Sequence, residues 1–262
     1  MTEISTKKDI KSMLISLAKP DNNKTAYHAI AEKYQMELMF RSFTEVQGLS
    51  LRDFRKYHIN PLDFSAVIFT SRLAITHFFR LCGELRIKMP EETKYFCITE
   101  VIALYLQNYI NYRKRKVFYP KNDKRATLEE VLKKHRKEEK YLLPCAAQSK
   151  GDLTDFMKEN SFKFEEAPMF ETVASDLSDL RELKFDLIVF FSPLAIESMF
   201  KNFPDFQQND TLIGAFGPAT CQSVEQHSLR LDIKAPAPDT PSMASAIENY
   251  IKSLAKNDQD KS

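Results

Sequence analysis

Short apolar runs alternate along the chain with amphipathic stretches of helical length. Runs such as AVIF at 66–69 and LIVFF at 187–191 are almost continuously apolar, which is typical of strands that helices cover on both faces. Strands separated by helices of about ten residues favour βαβ units and parallel sheets. The pattern therefore predicts an α/β protein with parallel sheets of the flavodoxin-like or Rossmann-like kind.

One strand–turn–helix unit occurs twice. Residues 66–79 (AVIFTSRLAITHFF) align without a gap with residues 187–200 (LIVFFSPLAIESMF). The identical pairs are Phe69/Phe190, Ser71/Ser192, Leu73/Leu194, Ala74/Ala195, Ile75/Ile196 and Phe79/Phe200. We interpret the repeat as two domains of one architecture. The alternative is a chance likeness between two βα units of similar composition.

Two long extended stretches, 36–46 and 162–174, lie on either side of the first copy. The simplest topology pairs them as a two-stranded linker between the domains. The predicted parts are an inserted domain, a discontinuous domain and the linker, at 47–161, at 1–38 with 175–262, and at 39–46 with 162–174. Two lobes tethered in this way form a hinge with a cleft, and we expect the two turns of the repeat to face each other across it.

Composition and charge narrow the class of protein. The 262 residues carry a net charge of +2, which implies no general attraction to nucleic acid or anionic membranes. Neither a signal-like apolar segment nor an apolar run of about 20 residues occurs, so we expect a cytoplasmic protein without membrane association. The four cysteines form no CxxC pair and the five histidines have no metal-site spacing, so no metal site is predicted. We also expect a monomer.

The densest basic cluster, residues 112–116 with Lys121, Lys124 and Arg125, has three interpretations. It is a solvated turn, a patch that attracts a polyanionic substrate, or a nucleic-acid surface with interleaved aromatic residues. We favour the first interpretation and therefore expect no nucleic-acid partner.

Candidate binding residues come directly after the predicted strands. Open parallel sheets bind ligands beyond the carboxyl ends of their strands, where helix starts offer unpaired backbone N–H groups to anions. The hydroxyl side chains there also have a simpler role, which is to cap the helices. The candidates are Thr70, Ser71, Arg72, Thr99, Ser192, Pro193, Gly217, Pro218, Ala219 and Thr220.

Four segments carry a resemblance to a known family. They are VIFTSRLAI (67–75), EAPMFETVAS (166–175), FFSPLAIESMF (190–200) and the stretch 213–251, which begins IGAFGPAT and includes a proline-rich loop before the last helix. In their order and spacing, these segments resemble uroporphyrinogen-III synthase. The resemblance implies two α/β lobes, a β-ladder linker and a discontinuous first domain.

The resemblance also implies a reaction without cofactor or metal. Hydroxymethylbilane, a linear tetrapyrrole, loses its terminal hydroxyl group, and the ring closes with inversion of the last pyrrole to give uroporphyrinogen III, on the route to haem. Loss of the hydroxyl group is assisted by the pyrrole's own electrons. The protein then acts chiefly by orienting a flexible polycarboxylate, with one proton donor.

Four positions depart from the family pattern. At position 170, where the resemblance implies a tyrosine that assists loss of the hydroxyl group, this chain has Phe170. The resemblance also implies a Gly-Pro-Thr-Thr turn that ends at Thr220, and Ala219 replaces its first threonine. In the other lobe, Thr99 and Ile102 replace a glycine and a threonine that the resemblance implies. Either the site is mainly a conformational clamp that uses another donor, or the chain is a ligand-binding homologue without turnover. The candidate donors are Tyr27, Ser71 and Tyr95.

Overall fold

The computed structural model describes residues 10–22, 24–120, 127–148, 151–180 and 184–259, with side chains as far as residue 254. The chain separates into two compact units. Unit 1 comprises Met1–Glu45 and Val173–Ser262, and unit 2 comprises Val46–Thr172. Lys121, Lys124 and Arg125 of the predicted basic cluster lie outside the described residues.

Strands and helices alternate as the hydrophobic pattern predicts. The strands are β1 Ser12–Ile15, β2 Glu37–Phe40, β3 Thr44–Gly48, β4 Ala66–Phe69, β5 Lys94–Cys97, β6 Val117–Phe118, β7 Tyr141–Ala146, β8 Phe164–Ala174, β9 Leu187–Phe190, β10 Leu212–Phe216 and β11 Ile233–Ala235. The α-helices are α1 Ala26–Lys33, α2 Leu51–Phe54, α3 Arg72–Glu84, α4 Glu100–Tyr105, α5 Leu128–His135, α6 Asp152–Glu159, α7 Pro193–Asn202, α8 Pro218–Gln226 and α9 Met243–Gln259. Short 3-10 turns occupy Arg55–Tyr57, Pro61–Asp63, Leu106–Asn108 and Ser178–Leu180.

The sheet of unit 1 has the strand order β11-β10-β9-β1-β2, and its neighbouring strands run parallel. Numbered by their sequence within the unit, these strands lie in the order 2-1-3-4-5, which is the flavodoxin-like order. The direction of winding changes between β1 and β9. This switch point is where open α/β sheets bind ligands.

The sheet of unit 2 has the strand order β3-β8-β7-β4-β5-β6. From β8 to β6 the neighbouring strands are parallel. At the other edge, the amide of Ser175 donates to the carbonyl of Phe43, and the amide of Leu49 donates to the carbonyl of Met169. Because the partners run in opposite directions along the chain, β3 and β8 pair in antiparallel fashion.

The repeated unit takes the same place in both sheets. On one side, β4 and β9 each have the next strand of the chain, which is β5 or β10. On the other side, each has a pair of strands: β7 and β8 beside β4, and β1 and β2 beside β9. In unit 1 this pair precedes the repeat in the chain, whereas in unit 2 it follows. The parallel parts of the two sheets therefore share one spatial order with circularly permuted connectivity. The predicted α/β class with two mostly parallel sheets is confirmed.

Alternate residues of the central strands belong to different hydrophobic clusters. In unit 2, Val67 and Phe69 of β4 join one cluster, whereas Ala66 and Ile68 join another. In unit 1, Ile188 of β9 lies in a different cluster from its neighbours. Both faces of each sheet are thus covered, which explains why AVIF and LIVF are apolar at every position.

The two extended segments also pair within the sheets of the two units. The first of them is broken into two strands, because Glu37–Phe40 forms β2 and pairs with β1 at the edge of the sheet in unit 1. The first part of β8 pairs with β7, from Tyr141 with Phe164 to Ala146 with Phe170. Both segments are therefore strands of the sheets for part of their length, in addition to the antiparallel β3–β8 pairing.

Candidate functional site

The carboxyl edge of the sheet in unit 2 gathers four of the predicted residues. β4 and β5 are paired as far as Phe69 and Cys97, so the turn Thr70-Ser71-Arg72 and Thr99 follow neighbouring strand ends. The Ser71 hydroxyl accepts a hydrogen bond from the Ala74 amide at 3.1 Å, and the Thr99 hydroxyl accepts one from the Ile102 amide at 3.3 Å. Both hydroxyls are therefore helix caps, for α3 and α4.

An apolar surface lies beside these caps. We call it the edge patch: its members follow β4 or β5 and are large, apolar and exposed to 42–55%, namely Leu73, Ile98, Val101 and Leu104. Val101 and Leu104 are three residues apart on α4, so they share one face of that helix. A cluster of large exposed apolar side chains marks a surface that contacts another molecule.

A hydroxyl cluster lies between α3 and the segment 100–109. The Thr76 hydroxyl is 3.1 Å from the Tyr105 hydroxyl and 3.3 Å from the Tyr109 hydroxyl, and the two phenol oxygens are 3.3 Å apart. The Arg72 guanidinium lies over the Tyr105 ring, 5.4 Å from its centroid. Hydrogen bonds from Thr76 and Tyr109, together with the charge of Arg72, lower the pKa of Tyr105. A phenol of lowered pKa is a better proton donor.

In unit 1, the switch point lies between the ends of β1 and β9. Ser16 follows β1 and Ser192 follows β9 by two residues. The Ser192 hydroxyl accepts a hydrogen bond from the Ala195 amide at 3.3 Å and caps α7, with Pro193 as its first residue. The Ser16 hydroxyl is buried and finds no hydrogen-bond partner within the described part of the chain. A buried hydroxyl without a partner is unusual in a folded protein, and a bound ligand is one way to satisfy it.

The turn Gly217–Thr220 begins α8 beside β9, because β10 pairs with β9. Gly217 has a φ of 89°, in the left-handed region that favours glycine, and its amide donates to the Ala235 carbonyl at 2.7 Å. Unlike α3, α4 and α7, helix α8 has no side-chain cap, and Pro218 has no N–H to satisfy. The first-turn amides of Ala219 and Thr220 therefore have no capping side chain, and free amides at a helix start are suited to bind an anion. Ala219 is exposed, whereas Thr220 is buried.

Comparison with known protein families identifies the family of this chain. The sequence profile described as uroporphyrinogen-III synthase HemD matches residues 25–245, which is most of the chain. The chain belongs to the uroporphyrinogen-III synthase HemD family. No individually curated protein matches the sequence.

Solved structures of uroporphyrinogen-III synthases are similar at low identity. The enzyme of Helicobacter pylori 26695 is 18% identical, with 93% of this chain and 100% of that chain covered and a TM-score of 0.49. A mutant of the Thermus thermophilus enzyme is 11% identical, with 94% of this chain and 99% of that chain covered and a TM-score of 0.43.

In this member of the uroporphyrinogen-III synthase family, Phe170 packs against a histidine. The ring centroids of Phe170 and His77 are 5.3 Å apart and their planes make an angle of 27°. Arg80 donates from Nε to His77 Nδ1 at 3.4 Å and from its guanidinium to the Leu49 carbonyl at 2.7 Å. Burial, followed by the charge of Arg80, lowers the pKa of His77. Position 170, where the sequence resemblance implies a tyrosine, is therefore occupied by a phenylalanine in a ring stack.

The three donors suggested by the sequence are poorly suited to that role. Burial raises the pKa of Tyr27 to about 12 and raises the pKa of Tyr95, which is almost fully buried, even further. The Ser71 hydroxyl is used as a helix cap. Tyr105 was not among the candidates, because its partner Thr76 is 29 residues away in the sequence. The i, i+4 spacing of Tyr105 and Tyr109 was the only sequence signal for this cluster.

The end of β1 was also missed by sequence reasoning. Ser16 follows the first strand, and only the strand order reveals that this strand borders the switch point. Within the described ranges, no group of three or more His, Cys, Asp or Glu side chains is placed to hold a metal ion. None of the helices described is both long and apolar enough to span a bilayer.

Proposed function

We propose that this protein is a uroporphyrinogen-III synthase, a lyase that cyclises hydroxymethylbilane with inversion of the last pyrrole ring. The observation that carries the proposal is the uncapped turn Gly217–Thr220, at the carboxyl edge of a parallel sheet in a chain of this family. Its free amides and the positive end of the α8 dipole attract carboxylate groups. The substrate is a polycarboxylate, so the turn and the substrate are chemically complementary.

Each unit, taken by itself, has further groups at the carboxyl edge of its sheet that suit a polycarboxylate tetrapyrrole. The edge patch offers apolar surface to the faces of the pyrrole rings. Arg72 is exposed and forms no ion pair with the residues described, which leaves its guanidinium available to a propionate or acetate group. The Ser16 hydroxyl supplies a further polar contact at the switch point of unit 1.

The reaction requires the transfer of protons as well as a fixed substrate conformation. The terminal C–O bond breaks and the hydroxyl group takes up a proton to leave as water. The substituted α-carbon of the last pyrrole bonds to the carbon that lost the hydroxyl group, which gives a spiro intermediate. The older bond from that α-carbon to its bridging carbon then breaks, and the bridging carbon bonds to the free α-carbon of the same ring, which loses its proton. We assign the donor role to the Tyr105 phenol, because hydrogen bonds and the charge of Arg72 stabilise its phenolate form. None of these steps requires a metal or a cofactor. We also propose that the protein acts as a monomer without nucleic acid.

The test is the product formed from freshly prepared hydroxymethylbilane. The protein is incubated with the substrate, the products are oxidised to porphyrins, and the isomers are separated by chromatography. Without a catalyst, the ring closes spontaneously to isomer I. We expect isomer III in the presence of the protein. Saturable binding of uroporphyrin with only isomer I formed would favour the second candidate, a ligand-binding homologue, for which the phenylalanine at position 170 is the motivating observation.

A further inference from the structure

A separate cavity of about 340 Å³ lies within unit 2. It is lined by the end of α3, by the segment that precedes β5 and by the segment that precedes β6. Because β5 and β6 are parallel and both lining segments come before them, the cavity lies toward the amino edge of the sheet. The candidate site lies at the opposite, carboxyl edge. The volume is within the range of about 300–1,000 Å³ in which proteins bind small molecules.

The wall of this cavity is mainly aromatic and aliphatic. Phe79 and Tyr109 both line the cavity, and they stack on each other with ring centroids 4.9 Å apart and planes 14° apart, so they form one aromatic part of the wall. Further apolar side chains of the lining are those of Tyr95, Cys82, Ile87, Met89, Pro90 and Ile110. Flat aromatic molecules pack favourably against such a surface, through burial and through ring stacking.

Among the charged side chains of the lining, cations outnumber carboxylates, although Lys116 already pairs with Glu92 outside the lining. Lys88, Arg113 and Lys116 line the cavity, against one carboxylate, Glu91. Arg113 pairs with Glu91 at 2.9 Å, and Glu91 is largely exposed. Exposed ion pairs of this kind contribute little, so a ligand carboxylate can replace Glu91 on the planar guanidinium. Lys88 forms no ion pair within the part of the chain described, and is therefore available to the same anion.

We propose that this cavity binds a small aromatic carboxylate. The aromatic ring occupies the wall formed by Phe79, Tyr109 and Tyr95, and the carboxylate is bound by Arg113 with Lys88 close by. Arg113, which belongs to the basic cluster at residues 112–116, is thus assigned to a specific anion. The proposal does not depend on the synthase activity, although Tyr109 of this wall also has its hydroxyl 3.3 Å from the Tyr105 hydroxyl of the candidate site.

Indole-3-propionate is a suitable probe, because the protein contains no tryptophan and the indole fluorescence of the probe stands out from the tyrosines. Its fluorescence anisotropy is measured during titration with the full chain, in parallel with the neutral analogue indole-3-propanamide. We expect saturable binding of the acid and at least about tenfold weaker binding of the amide, since the amide lacks the charge-assisted hydrogen bonds.

Two pairs of variants locate the binding. Gly83 lines the cavity, and a Cβ added there meets no other atom within 4 Å, so Gly83→Leu fills space without a clash at the backbone. We expect Gly83→Leu to weaken binding at least about tenfold and Gly83→Ala to change it less than about threefold. Arg113→Gln is expected to weaken binding about tenfold, whereas Arg115→Gln, which removes the same charge from outside the lining, leaves it unchanged.

Three results would overturn the proposal. They are the absence of saturable binding, equal binding of the acid and the amide, and binding that Gly83→Leu leaves intact. A fourth result, equal losses from Arg113→Gln and Arg115→Gln, would show a general charge effect and would also overturn it. Circular dichroism of each variant establishes that the fold is retained.

Discussion

The imidazole of His77 stacks on the ring of Phe170, with the ring centroids 5.3 Å apart. Gly48 lies directly against the same imidazole, since a Cβ added there would come within 2.6 Å of His77 Nδ1. His77 is thus enclosed by Phe170, Gly48 and Arg80. This packing explains its lowered pKa, because burial disfavours the charged ring and the cation of Arg80 adds to the effect.

The first prediction concerns the pH dependence of stability. His77 has a lower pKa in the folded protein than the 6.5 expected when unfolded, so the unfolded chain binds more protons below neutral pH. The stability contributed by the neutral ring is present above about pH 6.5 and is lost as the pH falls through the folded pKa. We expect His77→Gln to reduce the loss of unfolding free energy on acidification, measured by urea unfolding at a series of pH values.

The control for His77 is His58→Asn, which removes an exposed histidine at a position with a φ of 55° that asparagine tolerates. It should leave the pH dependence of the unfolding free energy close to that of the wild type. If the unfolding free energy of His77→Gln depended on pH as steeply as that of the wild type, the pH dependence would not come from His77 in this ring stack.

The second prediction concerns the proton donor. Tyr105→Phe removes the phenol of lowered pKa and should reduce the rate of isomer III formation by about 100-fold, the lower end of the usual range for general acids. Tyr57→Phe, at an exposed position, is the matched control. Phe170→Tyr should change the rate less than about threefold, because the ring at position 170 is held in a stack on His77. A large gain in rate from Phe170→Tyr, with none lost in Tyr105→Phe, would place the donor at position 170 instead.

The third prediction concerns the anion-binding turn. Gly217→Ala forces a Cβ onto a backbone with a φ of 89°, which costs about 1–2 kcal/mol and displaces the free amides of α8. We expect a lower unfolding free energy and a KM for hydroxymethylbilane raised about tenfold. Gly83→Ala, at a glycine in α3 without positive φ, should instead raise stability by up to about 1 kcal/mol and leave KM unchanged. An unchanged KM in Gly217→Ala would argue against carboxylate binding at this turn.

The fourth prediction concerns the repeat. Phe69 and Phe190 occupy equivalent positions in β4 and β9, and both are fully buried. Each Phe→Ala change should cost about 3–5 kcal/mol, whereas Leu62→Ala, at an exposed position, should cost less than about 0.5 kcal/mol. Hydrogen exchange should accelerate mainly in unit 2 for Phe69→Ala and mainly in unit 1 for Phe190→Ala. Equal acceleration in both units by either variant would contradict their separate cores.

The hydrophobic pattern predicted most of the fold for a clear reason. Central strands such as β4 and β9 are buried on both faces, so their sequences are apolar without interruption, and the serines that follow them cap helices. Edge strands give a weaker signal. β2 has only partly buried or exposed positions, so its alternating sequence was assigned to a linker. The permuted connectivity of the two sheets depends on pairing between distant segments, which a single sequence does not reveal.

The candidate site was only partly predictable, again for physical reasons. The turn Gly217–Thr220 was recognisable because glycine and proline at a helix start form a local signal. Ser16 and the Thr76–Tyr105 contact were not, since they depend on strand order and on helix packing. For Ser71 and Ser192, the simpler of the two roles considered at the outset, helix capping, is the one that the hydrogen bonds support.

In the proposed function, the protein directs closure of the tetrapyrrole with inversion of one ring. The most direct test is the ratio of isomer III to isomer I, measured as the protein concentration is raised at a fixed concentration of hydroxymethylbilane. Spontaneous closure competes with the catalysed reaction, so we predict that the ratio rises with protein concentration until isomer III is almost the only product. Isomer I as the only product at every protein concentration would contradict the account.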